Sequence, residues 1–285
     1  MNALECIPCL LRHTIDVLDF LEVDDELRRE IMTGALSEVG RIIDGSTPPM
    51  SAAGIYKVLR EKGGFEDPYA PFKKLSTDRA LDIMPNLIEN IEKSSSPLEK
   101  AFEYAVAGNS IDLATMGREN LGKIIEWLGN LQQSDFAVND FIKLERDLKN
   151  AKTLLYIGDN AGEVVFDRIV LEMLDIPEIY FGVRGAPALN DIVQSDAIYA
   201  GIDKPVKIVS TGSGVPGVVL DQCSTEFREI FKKADVVIAK GQGNFETLDD
   251  AERSIYFLFR VKCPLIGDRV NSDVGKFVIW KCAHD

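Results

Sequence analysis

Thr153-Leu154-Leu155-Tyr156-Ile157-Gly158-Asp159-Asn160-Ala161-Gly162-Glu163 is the stretch whose reading decides the fold. A short, unbroken apolar run bounded by turn residues is the pattern of a strand buried on both faces. It passes through a polar turn into a helical stretch over Val164–Leu174, which makes one βα unit. Further apolar runs follow at Glu178–Val183, Val206–Val209 and Val236–Ala239, and a C-terminal run at Phe277–Trp280. Helical stretches are expected between them at Val215–Leu220 and Thr225–Lys232. Strands alternating with helices predict a largely parallel sheet covered on both faces, occupying residues 151–285.

On the N-terminal side of that stretch the period changes. From Cys9 to about Asn150 the apolar residues recur at helical spacing. Leu10, Leu11, Thr14, Val17, Leu18 and Leu21 form one face; Leu27, Ile31, Ala35, Val39 and Ile42 form another, opened by the cap signal Asp24-Asp25. Ile55, Val58 and Leu59 mark a third helix, and Gly63-Gly64 to Pro71 is a loop by composition. Leu98, Phe102 and Val106, then Leu121, Ile124, Ile125 and Leu128, then Phe141, Leu144 and Leu148 mark later ones. Residues 1–150 are therefore expected to form a helical bundle or cap.

The formal charge of −14, from 46 acids against 32 bases, argues against nucleic acid or an anionic membrane as partner. No apolar stretch approaches the roughly 20 residues that span a bilayer. No basic-then-apolar leader opens the chain, so a cytoplasmic location is expected. Five cysteines and two histidines are poor material for a disulfide scaffold or a His-based zinc site. Any resident metal should be hard and held by oxygen. For Cys6 and Cys9 three readings stand: buried small side chains, a local disulfide, or half of a zinc site.

Ligands in parallel sheets bind beyond the carboxyl ends of the strands. There the first βα turn offers Asp159 and Asn160, two oxygen donors for a hard cation, with a helix N-terminus behind them that favours anions. The same residues would also serve as a plain helix cap. The second turn carries Arg184 and the pair Asn190-Asp191, and Asp196 is a further acid expected on the exposed face of the next helix. The third, Thr211-Gly212-Ser213, lacks Walker A spacing but lets backbone N–H groups approach a ligand. The fourth, Lys240-Gly241-Gln242-Gly243-Asn244, places a lysine beside glycines, either as a phosphate partner or as a solvated turn residue. Each turn has an ordinary explanation; four on one sheet edge point to a site.

These motifs together resemble the damage-control phosphatase (ARMT-like) family, and Cys6-Ile7-Pro8-Cys9 resembles the mark of its microbial and archaeal subgroup. Asp67-Pro68-Tyr69 and Ala107-Gly108-Asn109-Ser110-Ile111-Asp112 extend the likeness over nearly the whole chain. The resemblance implies a Rossmann-like three-layer α/β/α sandwich with an N-terminal all-helical region packed against it. It implies a divalent metal (manganese, cobalt, nickel or magnesium) held by Asp159, Asn160 and Asp191, no organic cofactor, and a small phosphorylated metabolite as substrate.

Phosphomonoester hydrolysis fits both readings. Lys240 would contact phosphoryl oxygens, N–H groups around Gly162 and Gly212 would add donors, and Arg184 would assist. The nucleophile is a metal-activated water or Asp159 itself, with Glu163 the nearest uncommitted acid. Thr211, Ser213 and Asn244 are expected to line the substrate, and Asn109 and Asp112 to face it from the helical half. Two rivals use the same sheet. A methyltransferase binding S-adenosylmethionine wants an acid after the second strand, where Tyr180–Arg184 has none. A non-catalytic phosphometabolite-binding protein would need the glycine loops but not a metal at Asp159 and Asn160.

Overall fold

Thr153–Ile157 is the second of seven strands in one mixed sheet of the computed structural model, which describes residues 3–108 and 121–282. In chain order the strands are β1 (Phe136–Asn139), β2 (Thr153–Ile157), β3 (Glu178–Val183), β4 (Lys207–Ser210), β5 (Val236–Lys240), β6 (Ile255–Arg260) and β7 (Phe277–Cys282). They lie in the order β1-β7-β6-β5-β2-β3-β4. All neighbours pair in parallel except β6 and β7, which are antiparallel.

Alternation along each strand sorts side chains to two faces. Leu154, Tyr156, Phe181, Ile238 and Leu258 pack with α5 (Pro97–Gly108), α7 (Phe141–Asn150) and α8 (Val164–Met173). Leu155, Ile157, Val237, Ala239 and Phe257 pack with α10 (Thr225–Lys233), α11 (Gln242–Leu248) and α12 (Pro264–Val270). Both faces are thus buried, which is why β2 and β5 read as unbroken apolar runs. A third core joins α1 (Cys6–Phe20), α2 (Asp25–Gly40) and α3 (Pro48–Gly63) through Val17, Leu18, Ile31, Ala35, Ile55 and Leu59. Asp24 caps α2 as the sequence predicts, its carboxylate accepting from Glu26 and Leu27 N–H.

The structure differs from the sequence expectation in four places. β1, an edge strand of four residues, lies within the stretch read as wholly helical; only its pairing with β7 from the far end of the chain makes it a strand. β6 was not anticipated, although Ile255-Tyr256-Phe257-Leu258-Phe259 is as continuous an apolar run as any in the chain. α4 (Ala70–Glu92) is the longest helix among the described residues, and Pro71 at its start and Pro85 within it hide its period. Val215–Leu220 is not a helix: Gly217, at φ +82°, interrupts it, and only a 3-10 turn at Leu220–Gln222 follows. The remaining helices are α6 (Leu121–Gly129) and α9 (Gln194–Tyr199). Among the described residues no helix is long and apolar enough to cross a membrane.

Candidate active site

Strand order reverses between β2 and β5: the chain runs outward through β3 and β4, then returns to the other side of β2. That reversal opens a crevice at the carboxyl ends of β2 and β5. Asp159, the second residue beyond β2, is buried there. Opposite it, beyond β5, Gly241 lies so close that a Cβ would fall 1.9 Å from the Asp159 Oδ2.

The turn after β3 is tied to the turn after β2 by backbone. Asn160 and Asp191 form an antiparallel bridge, with Ala161 N–H donating to Asn190 O at 2.9 Å and Ile192 N–H to Asp159 O at 2.8 Å. The turns that carry the three oxygen-bearing residues named by resemblance are therefore adjacent. The Asn160 Nδ2 donates to Asp159 Oδ2 at 2.8 Å and reaches Glu163 Oε2 at 3.4 Å. This directs the amide hydrogens at carboxylates and leaves the amide oxygen as a donor to a cation. Arg184 Nε donates to Asp191 Oδ2 at 2.6 Å, and Arg184 Nη2 to Asn244 Oδ1 at 3.0 Å. Asn244 Nδ2 in turn donates to Lys240 O at 2.6 Å and to Gly158 O at 3.2 Å, so one buried amide links the ends of β2 and β5 to the arginine.

Lys240, at the last position of β5, is fully buried rather than solvated. Its ammonium donates to Asp167 Oδ1 at 2.5 Å and to Glu163 Oε1 at 3.5 Å. Burial pulls its pKa down, but Asp167 and Glu163 more than offset this and the net shift is upward. Burial lifts Asp159 to about 7, with Glu163 and Asp191 adding to the rise. Burial also raises Asp191 against the opposing pull of Arg184. Asp167 rises to about 6 through burial, moderated by Lys240.

Charge balance indicates what the crevice would hold. Asp159, Glu163, Asp167 and Asp191 face only Lys240 and Arg184 among the buried charges of this edge, which leaves two negative charges when all are ionised. Buried charge of one sign is strongly disfavoured unless compensated. A divalent cation supplies that compensation, and a carboxylate, amide and carboxylate are the hard oxygen ligands it favours. Among the described residues no three His, Cys, Asp or Glu side chains are grouped so as to hold a metal ion, so the carboxylates of this edge do not by themselves make a complete cation site.

Several expected roles shift. Glu163 is not uncommitted, because Asn160 and Lys240 both bind it. The N–H groups of Gly162 and Gly212 are already used, by Thr77 Oγ1 at 3.1 Å and Ser210 Oγ at 3.0 Å. Thr211 is buried, and it and Ser213 bond to each other while Ser213 O accepts from Gly185 N–H; these residues brace the turns instead of reaching outward. Asn244 likewise spends its amide on protein groups. Asp196 is not exposed: it accepts from Lys73 of α4 at 2.6 Å and caps α9 through Val193 N–H. Asn109 and Asp112 lie outside the described residues. Asp167 and Tyr156 were missed, though Asp167 stands one helical turn after Glu163 and shares its face.

The helical region reaches this edge through Leu189, whose φ of +53° is unusual for a branched side chain. Its side chain packs against the core of α1–α3, and Arg60 donates to Pro187 O at 3.0 Å. Alongside lies a cleft of about 780 Å³, walled by Glu66 and Asp67 on one side and by Arg184, Pro187, Asp196 and Ser210 on the other. Cys6 and Cys9 are free thiols; burial, with Glu246 and Cys263 nearby, pushes Cys6 up to about 11.

Residues 3–277 match the damage-control phosphatase ARMT1-like domain. The chain belongs to that family. A damage-control phosphatase of Pyrococcus horikoshii is 32% identical, over 97% of this chain and 96% of its own length. An uncharacterized protein of Methanocaldococcus jannaschii is also 32% identical, over 97% and 94%. A damage-control phosphatase of Archaeoglobus fulgidus is 28% identical, over 96% of each. The crystal structure of a DUF89 family protein from Pyrococcus horikoshii superposes with a TM-score of 0.89, at 31% identity and 97% coverage of both chains. The mixed α/β fold is thus that of a known ARMT1-like family structure.

Proposed function

We propose that this member of the damage-control phosphatase family hydrolyses phosphomonoesters of small metabolites, sugar or nucleotide phosphates, with one divalent cation held by Asp159, Asn160 and Asp191. The backbone bridge between Asn160 and Asp191 supports the reading best, because it sets side by side the two separate turns that carry the three candidate ligands. Manganese, cobalt, nickel and magnesium all suit such a set. The cation, when bound, would polarise the phosphoryl group and offset its developing charge.

The chain's own residues do the rest. Arg184 holds the Asp191 carboxylate in place. Lys240, kept charged by Asp167 and Glu163, presents a buried ammonium to phosphoryl oxygens, where a fixed charge in a dry site acts more strongly than in water. Glu163 orients Asn160 and Lys240 together. Attack by water and attack by Asp159 differ in outcome: only the second leaves an acid-trappable aspartyl phosphate. The 780 Å³ cleft, within the roughly 300–1,000 Å³ of small-molecule sites, is lined by Arg184 but by none of the three ligand candidates, and it is the space for the leaving group in this reading because that arginine also holds Asp191.

In the finer reading, residues 151–285, joined by the edge strand β1 from the preceding stretch, form a Rossmann-like three-layer catalytic unit, and the helices of residues 1–150 form its wall. Cys6-x-x-Cys9 assigns the chain to the microbial and archaeal subgroup. A methyltransferase is not supported: β3 ends at Val183 and Arg184 follows it, with no acid at the strand end for a ribose.

The test is phosphate release from a panel of sugar and nucleotide phosphates with each of the four metals and with chelator. Chelator-sensitive release that disappears in Asp159→Ala and Asp191→Ala is the expected result. Release undiminished in both variants would overturn the assignment.

A further inference from the structure

We propose that Asp167 is a positioning residue that, pinned by Tyr156, holds the Lys240 ammonium at the phosphoryl side of the crevice. The inference rests on the reading of Lys240 as the phosphoryl contact. Among the described residues the hydrogen bonds of Asp167 go to Tyr156 and Lys240 and not to the three metal-ligand candidates, and it lies one turn deeper along α8 than Glu163. It is nonetheless the nearer anion to Lys240, at 2.5 Å against 3.5 Å for Glu163.

A buried carboxylate requires a compensating environment, and Asp167 has one on a single oxygen: Oδ2 is buried without a hydrogen-bond partner among the described residues, while Oδ1 takes both of its contacts. Tyr156 donates its hydroxyl to the same Oδ1 at 2.6 Å. The Tyr156 ring lies on β2, stacked on Phe181 of β3 with centroids 5.9 Å apart, so the hydroxyl is aimed by the sheet itself. Tyr156 pairs with Ile238 in the β2–β5 register, two residues before Lys240. The chain Phe181–Tyr156–Asp167–Lys240 therefore runs from the middle of the sheet to its edge and consists entirely of fully buried side chains. A lysine stem has four rotatable bonds; without Asp167 its ammonium would be held only by the longer contact to Glu163, beside Asn160.

Charge is the second part of the argument. Asp167 neutralises Lys240 locally, which frees Glu163 to share its carboxylate with Asn160. An isosteric amide at position 167 preserves shape but removes the charge that fixes the ammonium, while Glu163 keeps its contact with Asn160.

The experiment is a double-mutant cycle on the full chain loaded with Mn²⁺, with p-nitrophenyl phosphate as substrate. Asp167→Asn should lower kcat by about 10–100-fold, the range for a residue acting through a catalytic partner, while KM and Mn²⁺ affinity by calorimetry change less than about threefold. Tyr156→Phe should lower kcat about 2–10-fold with the same pattern. In a Lys240→Met background neither substitution should reduce activity further, because the group they position is gone. Binding of inorganic phosphate to the Mn²⁺-loaded protein runs the same cycle without turnover, and it decides the matter if Lys240→Met is too slow to assay. Equal losses in the wild-type and Lys240→Met backgrounds would overturn the proposal, as would a loss of Mn²⁺ affinity matching the loss of rate. If Asp167→Asn does not fold, the Tyr156→Phe cycle carries the test. A fully active Lys240→Met chain would instead refute the role given to Lys240, a distinct failure.

Discussion

Replacing Gly241 by alanine tests the crevice geometry with a single methyl group. Gly241 has φ +80° and ψ 156°, a region open essentially to glycine alone, where another residue costs about 1–3 kcal/mol. The added Cβ would also meet the Asp159 carboxylate, at 1.9 Å from Oδ2, 2.1 Å from Cγ and 2.6 Å from Oδ1. Ordinary contact with carbon needs more than 3 Å, so the whole carboxylate must move by about 1 Å or more. It has little room to move, since it is buried beside Asn160, Glu163 and Asp191. Disturbing an outer partner of a metal ligand reduces affinity by about 10–100-fold, so displacing a ligand itself should reduce it at least that much. Gly241→Ala should therefore bind Mn²⁺ at least about 100-fold more weakly by calorimetry, with a parallel fall in phosphatase rate. Its Tm should fall by the few degrees that the backbone strain implies. Affinity and rate within threefold of the parent chain would show that the Asp159 carboxylate does not hold the cation from beside Gly241.

Three further outcomes follow from the same site. In the metal-free chain Asp159 titrates at about 7, so protons compete with the cation below that pH; Mn²⁺ affinity should fall about 25-fold between pH 7.5 and 5.5. A flat calorimetric profile over that range would refute the shift. Burial raises Asp159, Asp167 and Asp191 in the folded chain, so their stabilising contribution is complete below the ordinary carboxylate range and is lost as pH rises through 7. The metal-free Tm should decline from pH 5 to 8 and recover on adding Mn²⁺; a metal-free Tm that rises over this interval contradicts the sign. Leu189→Ala removes the side chain that anchors the Asp191 turn to the α1–α3 core, and should lower stability by about 2 kcal/mol and weaken Mn²⁺ binding several-fold. Unchanged metal affinity in that variant would mean the helical region does not position Asp191.

Much of this site was legible in the local sequence. Asp159-Asn160 and Asn190-Asp191 stand in turns that follow apolar runs, and a parallel sheet brings such turns to one edge whatever its strand order. What the sequence does not show at Gly162, Thr211, Gly212, Ser213 and Asn244 is their hydrogen bonding within the protein, which braces adjacent turns and depends on which turns are neighbours. Asp167 escaped notice because an acid in the first turn of a helix ordinarily faces solvent at the helix N-terminus. Only the approach of Tyr156 and Lys240 from two strands makes its burial tenable.

The periods of hydrophobicity in the chain were enough to predict a mainly helical first half, a βα-repeating second half and an oxygen-rich edge, because each depends on residues within a few positions of one another; β1 is the strand of the first half that they did not give. The order of strands did not follow from them. That β5 returns beside β2 places Gly241 against Asp159, buries Lys240 and raises the Asp159 pKa, and that β7 turns antiparallel creates a strand of Phe136–Asn139. These are contacts between segments tens of residues apart, selected by packing of the whole sheet between its helices, and burial of charge exists only once that packing has formed.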